Sequence, residues 1–273
     1  MRRLIVSPDS ISEDRIHITD KEDIAYLSVV LRMKEGDILL VSDGAGKGWE
    51  AVIDVISRDR TELRVLSARS VPDDENTRVT LYQGLPKGSK MDEIIRKATE
   101  LGVHKIVPVG TARSIPSPGD ISPAKLERWR RIAKEASKQS RRLFVPNVPD
   151  VLAFTDTVAG LKEAGYDLIL VLFELEEVLT LKKALRDYSA HIPGNNEPGH
   201  GEPGHGGPGH GEPGHGGKSS SIAVFIGPEG GFELEEVDWL VREGAVPVTV
   251  GDTILRTETA GPAAIAMILY ELD

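Results

Sequence analysis

Beyond residue 76 the chain alternates strand-like and helix-like segments, and that alternation dictates a parallel sheet covered by helices. Segments 79–84, 105–109 and 247–250 read as strands. Segments 167–173 and 222–226 are unbroken apolar runs, the pattern of strands buried on both faces. Between them, Met91, Ile94, Ile95, Ala98 and Leu101 repeat on one helical face, and Gly102 ends that helix. Ser89 and Asp92 have the spacing of a capping box. Ser122-Pro123 opens another helix, with a cap followed by proline at the first helical position. A helix over 233–243 stops at Gly244, and a helix over 261–272 closes the chain.

The first 70 residues have a different rhythm. Segments 37–42, 49–56 and 61–66 are β-rich and separated by Asp43-Gly44-Ala45-Gly46-Lys47-Gly48 and the polar group 57–60. With a short helix over 21–31, they predict a small β-barrel. Val71-Pro72-Asp73-Asp74-Glu75-Asn76 reads as a linker, dividing the chain into domains at 1–72 and 73–273.

Residues 197–216 are four five-residue units, EPGHG, EPGHG, GPGHG and EPGHG. Proline and glycine at this density hold neither helix nor ladder, so 193–218 is expected to be a disordered insert. Its histidines (His200, His205, His210, His215) recur every five residues and could bind metal weakly and adventitiously. A tolerated surface loop is the favoured reading, and no metal site is expected in the fold itself.

The chain has no cysteine, which excludes disulfides, thiolate catalysis and Cys-ligated zinc or iron–sulfur sites. No window holds the roughly 18 apolar residues of a membrane span, and the apolar run after Arg2-Arg3 is too short for a secretory signal. A cytoplasmic protein without a membrane partner is expected. The net charge of −10 argues against a polyanionic partner, but the charge is uneven. Residues 73–150 carry 15 basic and 10 acidic side chains, whereas 151–273 carry 7 and 20. Local field rather than total charge steers a polyanion. Within 125–142 stand Lys125, Arg128, Arg130, Arg131, Lys134, Lys138, Arg141 and Arg142 against two glutamates. Trp129, Ile132, Ala133 and Ala136 form the stripe expected to be buried, which puts the charge outside. With Lys87, Lys90, Arg96 and Lys97 it could form a continuous surface for phosphates.

Two loops enter helices from strands. Ile226-Gly227-Pro228-Glu229-Gly230-Gly231-Phe232 implies close backbone approach, but it is neither a dinucleotide fingerprint nor a Walker loop. Spacing alone leaves a tight turn and a ligand loop equally open. Gly251-Asp252-Thr253-Ile254-Leu255-Arg256-Thr257-Glu258-Thr259-Ala260 is more polar than a simple connection requires. Arg256 and Glu258 could be a neutralised surface pair, or contact a ligand at the carboxyl ends of parallel strands. Thr257 or Thr259 could cap the next helix, in whose first turn Pro262 would sit. That helix is apolar on nearly every face, which implies full burial or packing against a second subunit.

Taken in order, these segments resemble a known family. Phe225 to Phe232 and Ile254 to Ala260 are similar to the knotted SPOUT-class RNA methyltransferases, most closely the bacterial 16S ribosomal RNA uridine-N3 methyltransferases. Leu31-Arg32-Met33-Lys34-Glu35-Gly36-Asp37, Lys87-Gly88-Ser89-Lys90-Met91-Asp92, Lys97 to Val103, and Arg128-Trp129 through Arg142 carry the same resemblance. It implies a PUA-like RNA-binding β-barrel followed by an α/β SPOUT domain with a trefoil knot. It also implies a homodimer, with 16S ribosomal RNA of the small subunit as substrate. S-adenosylmethionine (SAM) would be held by three loops: Leu172, Phe173 and Glu174; Gly227, Pro228, Glu229, Gly230 and Gly231; and Gly251, Ile254, Leu255, Thr257 and Thr259.

Methylating N3 of uridine requires its proton to leave, so the resemblance points to a cation or base near that atom. Arg256 is the electrostatic candidate and Glu258 the base. Arg32, Lys87, Lys90, Arg96, Arg128, Lys138 and Arg141 are the candidates for gripping RNA. His17 and His104 fall in no matched motif and read as structural. Glu233 stands where the family commonly has a hydroxyl residue, and Asp252-Thr253 replaces a more basic pair. Three rivals stand beside this reading: a SPOUT methyltransferase acting on transfer RNA or a ribose hydroxyl, a non-catalytic RNA-binding assembly factor, and a metal-handling protein built around the histidine tract. Removing residues 197–216 should abolish function only if the histidine tract is the active part.

Overall fold

The computed structural model describes residues 2–70, 77–191 and 219–273, so the linker at 71–76 and the insert at 193–218 lie outside the described residues. The N-terminal part is built from β1 (Arg2–Ile5), β2 (Arg15–Ile18), α1 (Lys21–Ala25), β3 (Ile38–Ser42), β4 (Lys47–Ile56) and β5 (Thr61–Ser70). They form one five-stranded sheet in the order β1-β3-β4-β5-β2. β4 and β5 slip register at Glu50/Ala51 and at Ile53/Val55. Such bulges bend a ribbon and increase its twist, and the sheet wraps a core that includes Ile16, Leu27, Leu39, Val41, Ile53 and Leu63.

The expected helix over 21–31 is two pieces. Asp20 caps α1 by accepting the N–H groups of Glu22 and Asp23 at 2.9 and 3.0 Å. A wider π-helical turn then covers Tyr26–Val30. Sequence patterning did not anticipate β1 or β2, because only two residues of each four-residue strand face the core.

The remainder supplies β6 (Thr77–Gly84), α2 (Lys90–Glu100), β7 (Lys105–Gly110), α3 (Pro123–Gln139), β8 (Leu152–Ala153), α4 (Phe154–Ala159) and α5 (Leu161–Ala164). It continues with β9 (Leu168–Leu172), α6 (Leu181–Ala190), β10 (Ser220–Ile226), α7 (Leu234–Arg242), β11 (Val246–Val248) and α8 (Thr257–Leu272). The six strands run in the order β11-β9-β10-β6-β7-β8, and every pairing is parallel. On one face Leu81 and Val224 pack with Ile94, Trp129, Leu185 and Ile265 from α2, α3, α6 and α8. On the other, Tyr82, Val171 and Phe225 pack with Phe154, Leu161 and Leu240 from α4, α5 and α7. Central strands coated on both faces must be apolar throughout, which is why 222–226 reads as it does.

Three local expectations change. Ser89 precedes α2 but makes no side-chain cap. The Asp92 carboxylate accepts instead from Trp129 Nε1 at 3.1 Å and Arg128 Nη2 at 2.7 Å, fastening α2 to α3. α8 starts at Thr257 rather than 261, with Arg256 at its N-cap and no side-chain cap, so Pro262 lies inside the helix. Nor is α8 buried all round, because Met267 is 43% and Tyr270 88% exposed. Asp92→Ala should leave the indole N–H of Trp129, itself 1% exposed, without its acceptor. The expected loss is about 1–3 kcal/mol in the denaturant midpoint analysis, with Asp92→Asn losing less because it keeps an acceptor.

The two parts meet at the end of α3. Ser42 Oγ donates to the Leu143 carbonyl at 2.6 Å, and the Val145 N–H donates to the Gly44 carbonyl at 2.9 Å. Lys138 of α3 pairs with the buried carboxylate of Asp23.

Candidate cofactor pocket and active site

The carboxyl ends of β9, β10 and β11 open into a cavity of about 850 Å³. Its walls are Leu172, Phe173 and Glu174 at the end of β9, the glycine-rich loop after β10, and residues 248–258 from the end of β11 into the first turn of α8. Lys90, from the start of α2, closes one side. Of the thirteen cofactor candidates, eleven line this cavity: Leu172, Phe173, Glu174, Gly227, Pro228, Glu229, Gly231, Gly251, Ile254, Leu255 and Thr257. Gly230 packs against Arg113 instead, and Thr259 is exposed outside the cavity. Arg256 and Glu258 line it as well.

The glycines are there for space. A Cβ on Gly227 would lie 2.8 Å from the Gly231 carbonyl carbon, and one on Gly84 would lie 2.6 Å from Pro228 Cδ. Gly231 has φ +69° and faces the Glu174 carboxylate, 2.8 Å from where its Cβ would stand. The loop therefore folds back on itself, with the Gly231 N–H bonded to the Pro228 carbonyl at 3.0 Å.

Two charged clusters hold it. Glu229 accepts the Lys87 backbone N–H at 3.1 Å and the Lys90 ammonium at 3.0 Å, and that ammonium also lies 3.4 Å from Glu258 Oε2. Partial burial pushes the Glu229 carboxyl up, but its own N–H, Lys90 and the Lys87 N–H outweigh this and hold it below the usual carboxylate range. Hydrogen bonding to Glu229 in turn raises Lys90. The stabilising effect of a depressed carboxyl is complete above its ordinary range and disappears as pH falls through the lowered value. Thermal unfolding in acidic buffers is expected to show a steeper acid-side loss for the wild type than for Glu229→Gln.

Sequence reasoning missed two residues of this frame. Arg113 donates to both carboxylate oxygens of Glu233 at 2.9 and 3.0 Å and to the Gly230 carbonyl at 2.6 Å. The Arg113 hydrogen bond lowers Glu233 below the usual range. Glu233, the departure from the expected hydroxyl residue, thus has a structural partner about 120 residues away. Local spacing carries no trace of such a pair. Gln83, fully buried at the end of β6, donates to Thr257 Oγ1 at 2.9 Å, and Thr257 Oγ1 donates to the Gly227 carbonyl at 2.7 Å. A lone amide closing an apolar strand was the available signal.

The RNA candidates are scattered. Arg32, Lys87, Arg96 and Arg141 are exposed, whereas Lys90 faces the cavity. Arg128 pairs with Asp92, and Lys138 with Asp23. The basic run is also partly neutralised from outside: Arg130 pairs with Asp150, and Arg142 donates to the carbonyls of Thr99, Gly102 and Val103 at and after the C-terminal end of α2.

A family profile described as an RNA methyltransferase domain matches residues 73–269, and one described as an RNA methyltransferase PUA domain matches 18–66. The chain belongs to the RNA methyltransferase family. Relatives of this RNA methyltransferase include "Ribosomal RNA small subunit methyltransferase E" of Synechocystis, 34% identical over 97% of this chain and 76% of that protein. The protein of the same name from Bacillus subtilis is 30% identical over 92% of this chain and 89% of its own length. Among solved structures, ribosomal RNA small subunit methyltransferase E of Neisseria gonorrhoeae bound to SAM aligns with TM-score 0.68 and 26% identity, covering 97% of this chain and 96% of that one. A probable rRNA-methyltransferase from Porphyromonas gingivalis aligns with TM-score 0.71 and 26% identity, covering 100% and 98%. In this RNA methyltransferase no helix among the described residues is long and apolar enough to cross a membrane.

Proposed function

We propose that this protein uses SAM to methylate N3 of a uridine in 16S ribosomal RNA of the small subunit. The observation that carries the reading is the convergence of the three loops on one cavity at the carboxyl edge of the sheet. The donor set suits SAM. Apolar Leu172, Ile226, Val248 and Leu255 offer surface for a base and ribose, and Glu174, Glu177, Glu229 and Glu258 offer negative charge for a cation. When bound, SAM would supply an electrophilic methyl group whose bond to sulfur breaks as the new bond to N3 forms, the sulfur leaving as a neutral thioether.

The protein's own residues must make N3 nucleophilic. Arg256 presents an exposed guanidinium at the mouth of the cavity and stabilises the negative charge that develops as the N3 proton leaves. Glu258, whose carboxylate is 14% exposed, receives that proton, and Lys90 at 3.4 Å holds the carboxylate in place. Arg32, Lys87, Arg96, Arg128 and Arg141 position phosphates rather than read bases.

The trefoil knot belongs to the same proposal. The bond from Thr257 to the Gly227 carbonyl packs the segment after β11 against the loop after β10, and that contact is what supports this part of the reading. A homodimer belongs to it too: Met267 and Tyr270 form an apolar exposed face on α8 suited to a second copy. A cytoplasmic location follows from a ribosomal substrate.

The test is to incubate the protein with methyl-labelled SAM and small ribosomal subunits lacking the modification, then digest the RNA and identify the labelled nucleoside. Label in 3-methyluridine is expected. Label in another nucleoside would replace the target, and SAM binding without transfer would favour an assembly factor.

A further inference from the structure

A second cavity, dominated by cations, lies where the two parts of the chain meet. It has a volume of about 640 Å³ and is lined by Arg2 and Arg3 of β1 and by Lys138, Arg141 and Arg142 at the end of α3, with Tyr26 beside them. Among the described residues no carboxylate lines it. Not all five charges are available. Lys138 is matched by Asp23, Arg2 lies 3.4 Å from Asp37, and Arg142 is committed to carbonyls at and after the C-terminal end of α2. Arg3 donates to the backbone carbonyl of Arg141 at 3.2 Å, and neither Arg3 nor Arg141 has a carboxylate partner among the described residues.

The backbone adds a separate observation. Among the described residues, only Arg32 and Arg141 adopt positive φ without being glycine, at 51° and 61°. Each follows the cap residue of a helical segment, Leu31 and Ser140, where a left-handed residue usually ends the helix and glycine is preferred. Leu31 itself lines the cleft. An arginine costs more than glycine in that conformation, so both helix ends carry a cation where conformation alone would select against it. Strain of this kind points from structure to function.

We infer that this cleft is a subsite for the phosphodiester backbone of single-stranded RNA, held by the neighbouring cations Arg3 and Arg141. The inference rests on the reading of the protein as an RNA-modifying enzyme, and adds where the strand crosses between the two parts. Contacts of this kind are sequence-independent and salt-sensitive. They hold RNA without touching the methyl-transfer site.

The test measures binding of a dye-labelled 20-nucleotide oligouridylate to the full chain across a salt series, alongside SAM binding by calorimetry. The variants are Arg3→Ala with Arg141→Asn, asparagine being chosen because it tolerates positive φ. A charge control is Arg186→Ala, on α6 and paired with Glu271. The double variant is expected to bind RNA about tenfold or more weakly, and its log–log salt slope should fall by roughly 1.4, about 0.7 per lost contact to a single strand. The control should match the wild type, and SAM binding should be unchanged in all three. Arg3→Lys should restore part of the slope. If the wild type binds RNA and the double variant matches it in affinity and slope, the cleft assignment is wrong while the methyltransferase reading stands. If the wild type binds no oligouridylate while binding SAM, the cleft assignment fails, and the methyltransferase reading is judged by transfer to small ribosomal subunits.

Discussion

Gly227→Ala is expected to weaken SAM binding by roughly a hundredfold while leaving the protein folded. The added Cβ would stand 2.8 Å from the Gly231 carbonyl carbon and 2.9 Å from its Cα, and both are backbone atoms that no rotamer change can move aside. Overpacking a closed contact costs about 1–3 kcal/mol, and the upper end corresponds to roughly two powers of ten in Kd. The loop can relieve the contact only by opening, which takes Glu229 away from Lys87 and Lys90 and deforms the cavity wall. Gly165→Ala separates this effect from ordinary glycine replacement. Gly165 has φ +64°, but a methyl group added there would meet nothing within 4 Å, so it should lose about 1–2 kcal/mol of stability and no SAM affinity. Calorimetric SAM titrations and thermal unfolding of the two variants make the comparison. Equal SAM affinity in Gly227→Ala and wild type would sink the assignment of this loop to the cofactor.

The second large effect is on turnover. Arg256→Ala should lower kcat by about 10²–10³, the usual cost of losing one donor to a developing anion, and change SAM affinity only a few-fold. Arg256 caps α8 through its backbone alone, with no side-chain cap, so removing the guanidinium leaves the helix start intact. Glu258→Gln should also slow transfer, and the rate should recover partly at high pH, where N3 loses its proton without help. An Arg256→Ala enzyme with unimpaired kcat would move the electrostatic role to Lys90, the other cation on the cavity wall.

The parts of the fold that could be read in advance are those whose neighbours are close in sequence. Met91, Ile94, Ile95 and Ala98 share one face of α2 because helical period places them there, and all four are buried. The paired apolar runs became β9 and β10 because a strand covered on both faces leaves no position for a polar residue. The cavity walls were legible through motif order, since the glycines needed for close approach fall within five positions. Contacts made across the fold were not. Asp92 has the spacing of a cap, yet Trp129 and Arg128 compete for its carboxylate and win. Arg113 and Glu233 each look like an ordinary surface charge until the sheet brings them together. Charge counting on α3 overestimated the free cations for the same reason: Asp23, Asp92 and Asp150 come from other elements.

The Gln83–Thr257 hydrogen bond joins positions 174 residues apart, and Thr257 reaches on to Gly227. The cavity therefore has no finished wall until the last sixteen-residue helix has docked. Closing so long a span is entropically costly and slow compared with local structure. A fragment clipped ahead of residue 257 carries every glycine of the loop and still lacks the hydroxyl that pins it. Completion of the pocket is thus tied to the docking of α8 and not to the glycine loop alone.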